Sequence, residues 1–116
     1  MPREPSADLL HDILEFIDRI ERWTSAESQS SHTLDEKTLY AVLHALQYIG
    51  EASSRLPSTV TELAPEVPWA KIRGMRNVIV HDYAGIDATI VWETVKQRLP
   101  ELRAAVETIL QRLASD

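Results

Sequence analysis

Cysteine is absent from this 116-residue chain, so neither a disulfide framework nor a cysteine-type zinc site is available to it. The four histidines, at 11, 32, 44 and 81, are scattered without metal-ligand spacing. No apolar run approaches the ~20 residues that a membrane-spanning helix needs. The opening residues Met-Pro-Arg-Glu-Pro also lack the apolar core of a signal peptide. The expectation is a soluble protein of the reducing cytoplasm. Sustained period-two alternation is missing too, which argues against sheet. With this length and no internal repeat, a single domain over residues 1–116 is expected, with a core modest enough to profit from dimerisation. Positive charge is also scarce. A net charge of −6 excludes a general nucleic-acid coat, whose affinity rests on many basic contacts.

What is present is helical periodicity almost throughout. Leu9, Leu10, Ile13, Phe16, Ile17, Ile20 and Trp23 form one broad stripe, predicting a first helix from an N-cap at Ser6 to Trp23. After a polar loop, Thr33 followed by Glu36 reads as a capping box. It opens a second helix whose stripe Leu39, Val42, Leu43, Leu46 and Ile49 runs to about Leu56. Pro57, Pro65 and Pro68 punctuate the next connection, which has room for a short turn at Thr59 to Leu63. Pro68 suits the first position of a third helix reaching Ala84. Asp87 then caps a fourth helix ending near Leu99, and Pro100 either kinks it or starts a fifth. The expected fold is an all-α, up-down bundle of four or five helices.

Charge is unevenly placed. From Val67 to His81 there are three basic residues, Lys71, Arg73 and Arg76, and no acidic one. The other nine basic residues face all 18 acidic ones, a net of −9 outside this stretch. A small positive patch on an acidic body suits a protein that grips one or a few phosphates. On a continuous α-helix Arg76, Asn77 and His81 share a polar arc of roughly 140°, with Arg76 and His81 about 7.5 Å apart along the axis. A guanidinium holds phosphate through paired hydrogen bonds, and an imidazole moves protons near neutral pH. Together they are the minimal equipment for metal-free cleavage of RNA by its own 2′-hydroxyl. Asn77 lies between them, placed to orient the imidazole or bond substrate. DNA, without that hydroxyl, is not expected to be cut.

The segment Met75-Arg76-Asn77, Ile79, His81, Tyr83, with Pro68-Trp69 before it and Ile86-Asp87 and Val91-Trp92 after it, resembles the HepT-like branch of the HEPN superfamily. The hallmark of that branch is Arg, four residues, His, any residue, Tyr. Gly50-Glu51-Ala52 is similar to a further element of the family, so the likeness covers roughly Tyr40 to Leu102. The resemblance implies an RNA-cleaving toxin of a type II toxin–antitoxin system, acting as a homodimer without a metal or other cofactor of its own. It implies Arg76 and His81 as catalytic residues, with Arg73, Asn77 and Glu51 in support. It also implies a nucleotidyltransferase antitoxin that uses ATP and magnesium to attach AMP to Tyr83. A non-catalytic helical module that binds a nucleotidyltransferase or a nucleotide is the competing reading. It would need the arginines but not His81.

Each residue also has an ordinary reading. Arg76 alone would be a surface ion pair, His81 a satisfied interfacial side chain, and Tyr83 a core residue with its hydroxyl at the rim. The motif in its context favours the functional reading. On the second helix Tyr40, His44 and Tyr48 recur every fourth residue, either lining a cleft or dimer seam or forming a solvated face with aromatic rims. Glu51 is placed to pair with Arg73 or Arg76. Trp23, Trp69 and Trp92 read as core or interface anchors, and His11 and His32 as surface residues.

Overall fold

In the computed structural model, residues 5–25, 35–77 and 88–115 are described. Among them every regular element is helical: α1 (Pro5–Thr24), α2 (Glu36–Ser54), α3 (Ser58–Thr61), α4 (Trp69–Gly74), α5 (Ala88–Glu93) and α6 (Leu99–Ser115). A 3₁₀ turn, Met75–Asn77, continues α4, and a π-helical turn, Thr94–Arg98, joins α5 to α6. The expected all-α class holds.

The core follows the helical stripes. Leu10, Ile13, Ile17 and Ile20 of α1 are fully buried with Leu39, Val42 and Ile49 of α2 and Leu99, Leu102, Val106 and Ile109 of α6. α1 packs against both α2 and α6, while α4 and the 3₁₀ turn lie against α2. The stripe on α1 is narrower than its sequence suggests. Leu9 and Phe16 are only half-buried, Trp23 is 41% exposed, and Thr24 takes the last buried position, its hydroxyl donating to the Ile20 carbonyl at 2.8 Å. A hydroxyl tied to its own helix can be buried at little cost, whereas an indole at a helix end has few neighbours. Arg103 fastens α6 to α1, with one guanidinium nitrogen 2.6 Å from Asp18 and 2.5 Å from Glu21. Partial burial works against its charge, but the two carboxylates outweigh it and hold the pKa above the ordinary value.

Three boundaries differ from the sequence reading. α1 begins at Pro5, so Ser6 lies inside its first turn rather than capping it. The cap of α2 is Asp35, whose carboxylate accepts from the Thr38 amide at 2.7 Å and the Thr38 hydroxyl at 3.1 Å. Thr33 lies outside the described residues. Each carboxylate oxygen meets one donor of Thr38. Pro68 is the N-cap of α4 rather than its first residue, with ψ at 73° and its carbonyl accepting from Lys71 and Ile72.

Pro100, expected either to kink the fourth helix or to start a fifth, is the second residue of α6, which begins at Leu99 directly after the π turn. Proline has no N–H, and its ring crowds the carbonyl four residues back. The turn before it widens instead, so that the Leu99 N–H reaches five residues back to the Thr94 carbonyl and the helix passes through Pro100. The resulting rod of 28 residues from Ala88 to Ser115 would span about 42 Å at the α-helical rise. The molecule's longest dimension is 46 Å.

Candidate functional site

The basic residues of the patch stand on α4 and the 3₁₀ turn that continues it. Trp69 anchors this unit at its start: its ring is buried and its Nε1–H donates to the carbonyls of Ala64 at 2.9 Å and Thr61 at 3.1 Å. One indole thereby ties the α3–α4 connection to the first turn of α4. Ile72, one turn later, is buried and Met75 is half-buried against the same core. With the apolar side seated, Lys71, Arg76 and Asn77 are exposed and Arg73 is half-buried.

The helix does not continue as α through this region. After Gly74 it tightens, the Met75 N–H bonding to the Ile72 carbonyl three residues back. The even 100° wheel expected from Pro68 to Ala84 therefore stops before Arg76. A 3₁₀ turn advances ~2 Å and 120° per residue, so the α-helical wheel does not carry through Met75–Asn77. His81 and Tyr83 lie outside the described residues, as do Val80 and Asp87.

The tightening sits where α2 comes closest. A Cβ built on Gly50 would overlap the backbone nitrogen of Arg76 and lie 3.0 Å from both the Ile72 oxygen and the Met75 carbonyl carbon. Gly50 is buried in the last part of a 19-residue helix. Glycine there costs about 0.5–1 kcal/mol relative to alanine. The close approach offsets that cost and accounts for the residue. The sequence holds the signal, a glycine inside a strong helical stripe, but not the partner it faces.

Among the described residues no carboxylate lies within ion-pair reach of Arg73 or Arg76. Arg19, Arg55 and Arg103 all have such partners, so the surface-ion-pair reading fits those three. Arg22, Arg98 and Arg112 share the freedom of Arg76. What distinguishes Arg76 is the fixed backbone beneath it. Glu51 is exposed and pairs with Arg55 at 3.8 Å, rather than with Arg73 or Arg76 as its position had suggested.

The aromatic stripe of α2 belongs to another face. Tyr48 stacks on Phe16 of α1 with centroids 5.0 Å apart and planes 4° from parallel, and His44 meets the Tyr48 ring edge-on at 4.7 Å. Arg19 covers the same Phe16 ring at 5.3 Å. Two residues along an α-helix turn it by about 200°. The side of α2 bearing Tyr48 is thus opposite the side on which Gly50 touches the Arg76 turn, and these rings do not line the basic patch. Among the described residues no cluster of three histidine, aspartate or glutamate side chains could hold a metal ion. No described helix is long and apolar enough to cross a membrane.

The arrangement is a basic patch on α4 and the 3₁₀ turn, with the turn's backbone clamped on its inner side and with Arg73 and Arg76 free of carboxylate partners among the described residues. Its chemistry suits an anion with several oxygens, such as phosphate. Comparison with known proteins points the same way. Residues 13–109 match the family model described as "Ribonuclease HepT-like". The chain is 39% identical over 102 residues to a protein of Thermococcus cleftensis named "Probable ribonuclease HepT", covering 88% of this chain and 93% of that one. Two proteins of Methanocaldococcus jannaschii are each 34% identical. One, "Putative RNase MJ1216", aligns over 96% of this chain and 92% of its own length, and the other, "Putative RNase MJ0125", over 97% of both. No solved structure gives a significant match.

Proposed function

The chain belongs to the HepT-like ribonuclease family, and from that premise we propose that it is a metal-independent endoribonuclease and the toxin of a toxin–antitoxin pair. The observation that carries this reading is Arg76: an exposed guanidinium with no carboxylate partner among the described residues, on a turn fixed against α2. The family match spans Arg76, His81 and Tyr83 alike.

In the proposed reaction a ribose 2′-oxygen attacks the adjacent phosphorus, forming a new P–O bond. The bond from phosphorus to the 5′-oxygen of the next nucleotide breaks. The products are a 2′,3′-cyclic phosphate and a free 5′-hydroxyl, so the proton lost by the 2′-hydroxyl is balanced by one delivered to the leaving oxygen. His81 serves as one proton-transfer group. Arg76 stabilises charge building on the non-bridging oxygens, with Arg73 and Asn77 holding the neighbouring backbone. One imidazole cannot hold and release protons at both ends at once. A homodimer that brings two copies of the Arg76 to Tyr83 segment into one cleft supplies the second. Inhibition follows from the same contact: a nucleotidyltransferase antitoxin would transfer AMP from ATP to the Tyr83 hydroxyl, and the new phosphate would compete for Arg76 and repel RNA.

Purified protein incubated with RNA in EDTA should give 2′,3′-cyclic phosphate ends and leave DNA of the same sequence intact. Arg76→Ala and His81→Ala should each lose on the order of 10²–10³-fold in rate with helical content unchanged. Undiminished cleavage by His81→Ala, free of contaminating nuclease, would overturn the mechanism. Tyr83→Phe should escape adenylylation by the cognate transferase, read by peptide mass spectrometry. Equal neutralisation of Tyr83→Phe and wild type would refute the regulatory role.

A further inference from the structure

We infer that Gly50 is a positioning residue for Arg76: the missing side chain on α2 sets where the arginine's backbone, and so its guanidinium, stands. The inference rests on the reading of Arg76 as the phosphate-binding group. The three atoms that a Gly50 Cβ would meet are all backbone, the Arg76 nitrogen, the Ile72 oxygen and the Met75 carbonyl carbon. A crowded side chain can rotate away, but a backbone atom can yield only if its whole turn moves. Ile72 is buried in the core and Trp69 pins the start of α4, so the yielding part is the 3₁₀ turn itself. Any side chain at position 50 therefore displaces Arg76 while leaving its chemistry intact. Gly74 provides the contrast. It is exposed at the end of α4, a Cβ there meets nothing within 4 Å, and its φ is not positive. Of the two glycines that flank this turn in space or in sequence, one is required by the packing and the other is not.

A double-mutant cycle separates positioning from ordinary packing. Cleavage would be measured for wild type, Gly50→Ala, Arg76→Ala and the double variant. In parallel, binding would be measured to a fully 2′-O-methylated RNA of mixed sequence, which cannot be cut. Displacing a reacting group by about 1 Å can cost about 100-fold. Gly50→Ala should accordingly lose about 100-fold in rate while remaining helical, and should add no further loss of rate or affinity where Arg76 is already alanine. Gly74→Ala should match wild type throughout. Wild-type behaviour of Gly50→Ala would overturn the inference, as would a loss that multiplies with that of Arg76→Ala. Cleavage by wild type with a multiplicative cycle would remove this inference and leave the proposed function standing. Binding without cleavage, with a non-additive binding cycle, would remove the nuclease reading and leave Gly50 as the residue that places Arg76. If Gly50→Ala fails to fold, it would be remade with Gly74→Ala, which removes chain entropy at an open helical position. Failure to fold there too would assign Gly50 to stability and overturn the positioning role.

Discussion

Arg76, Glu51 and Ser53 differ in how far a side chain is legible. Arg76 stands out in the sequence by its chemistry and its neighbours, and in the structure it is exposed with no carboxylate partner among the described residues. The partner of Glu51 differs from the expected Arg73 or Arg76 for an equally physical reason. Its ion pair is with Arg55, one turn along the same helix, the local partner that α-helical spacing supplies first. Ser53 could not have been singled out. Its hydroxyl is fully buried and has no hydrogen-bond partner among the described residues. An unsatisfied buried hydroxyl costs about 1–3 kcal/mol, and alanine removes it with little change of volume. Ser53→Ala should therefore raise the thermal midpoint, by an amount corresponding to roughly 1 kcal/mol. A lower midpoint in a melting experiment would show that the hydroxyl is satisfied.

Helices were legible from their stripes, and their ends less so, because ends are decided by single atoms. The predicted stripe of α2 is buried throughout and that of α1 in its central part, since burial of one face is what makes a helix in a small bundle. Three features escaped: the 3₁₀ turn at Met75, the π turn before Pro100, and the cap at Asp35. The first two arise from the approach of another segment and from a ring clash, neither of which periodicity records. The cap carries a prediction. The Thr38 amide first, then the Thr38 hydroxyl, hold the Asp35 carboxyl below its ordinary range, with Lys37 helping and slight desolvation opposing. A carboxyl whose pKa is depressed on folding stabilises the protein above its unfolded pKa of ~3.9, and that contribution disappears as pH falls through the folded value. Asp35→Ala should thus melt below wild type at neutral pH, and the gap should narrow from about pH 5 downward. A gap independent of pH would exclude the charged cap as its origin.

The protein's charge is segregated, and that decides how it should meet RNA. The acidic body repels a polyanion, while Lys71, Arg73 and Arg76 form a stretch without any acidic residue. Favourable contacts are therefore few and local, and the released counterions count them. For single strands the slope of log affinity against log salt is about −0.7 per phosphate neutralised. One protomer gripping RNA through its three basic residues predicts a slope of about −2, and two protomers sharing a cleft predict about −4. The second value is expected if the proposed homodimer holds one strand between its two patches. The uncuttable 2′-O-methylated RNA, titrated at several salt concentrations, gives the slope, and light scattering on the same samples gives the mass. A dimer with a slope near −2 would mean that each patch binds its own strand, and the second proton-transfer group would then have to come from within one protomer. A dimer with a slope near −4 that falls to about −3 when wild type is mixed with excess Arg73→Ala/Arg76→Ala protein, which keeps Lys71, would place both patches on one RNA. Mixing discriminates because a heterodimer keeps the fold and the seam while losing most of one patch.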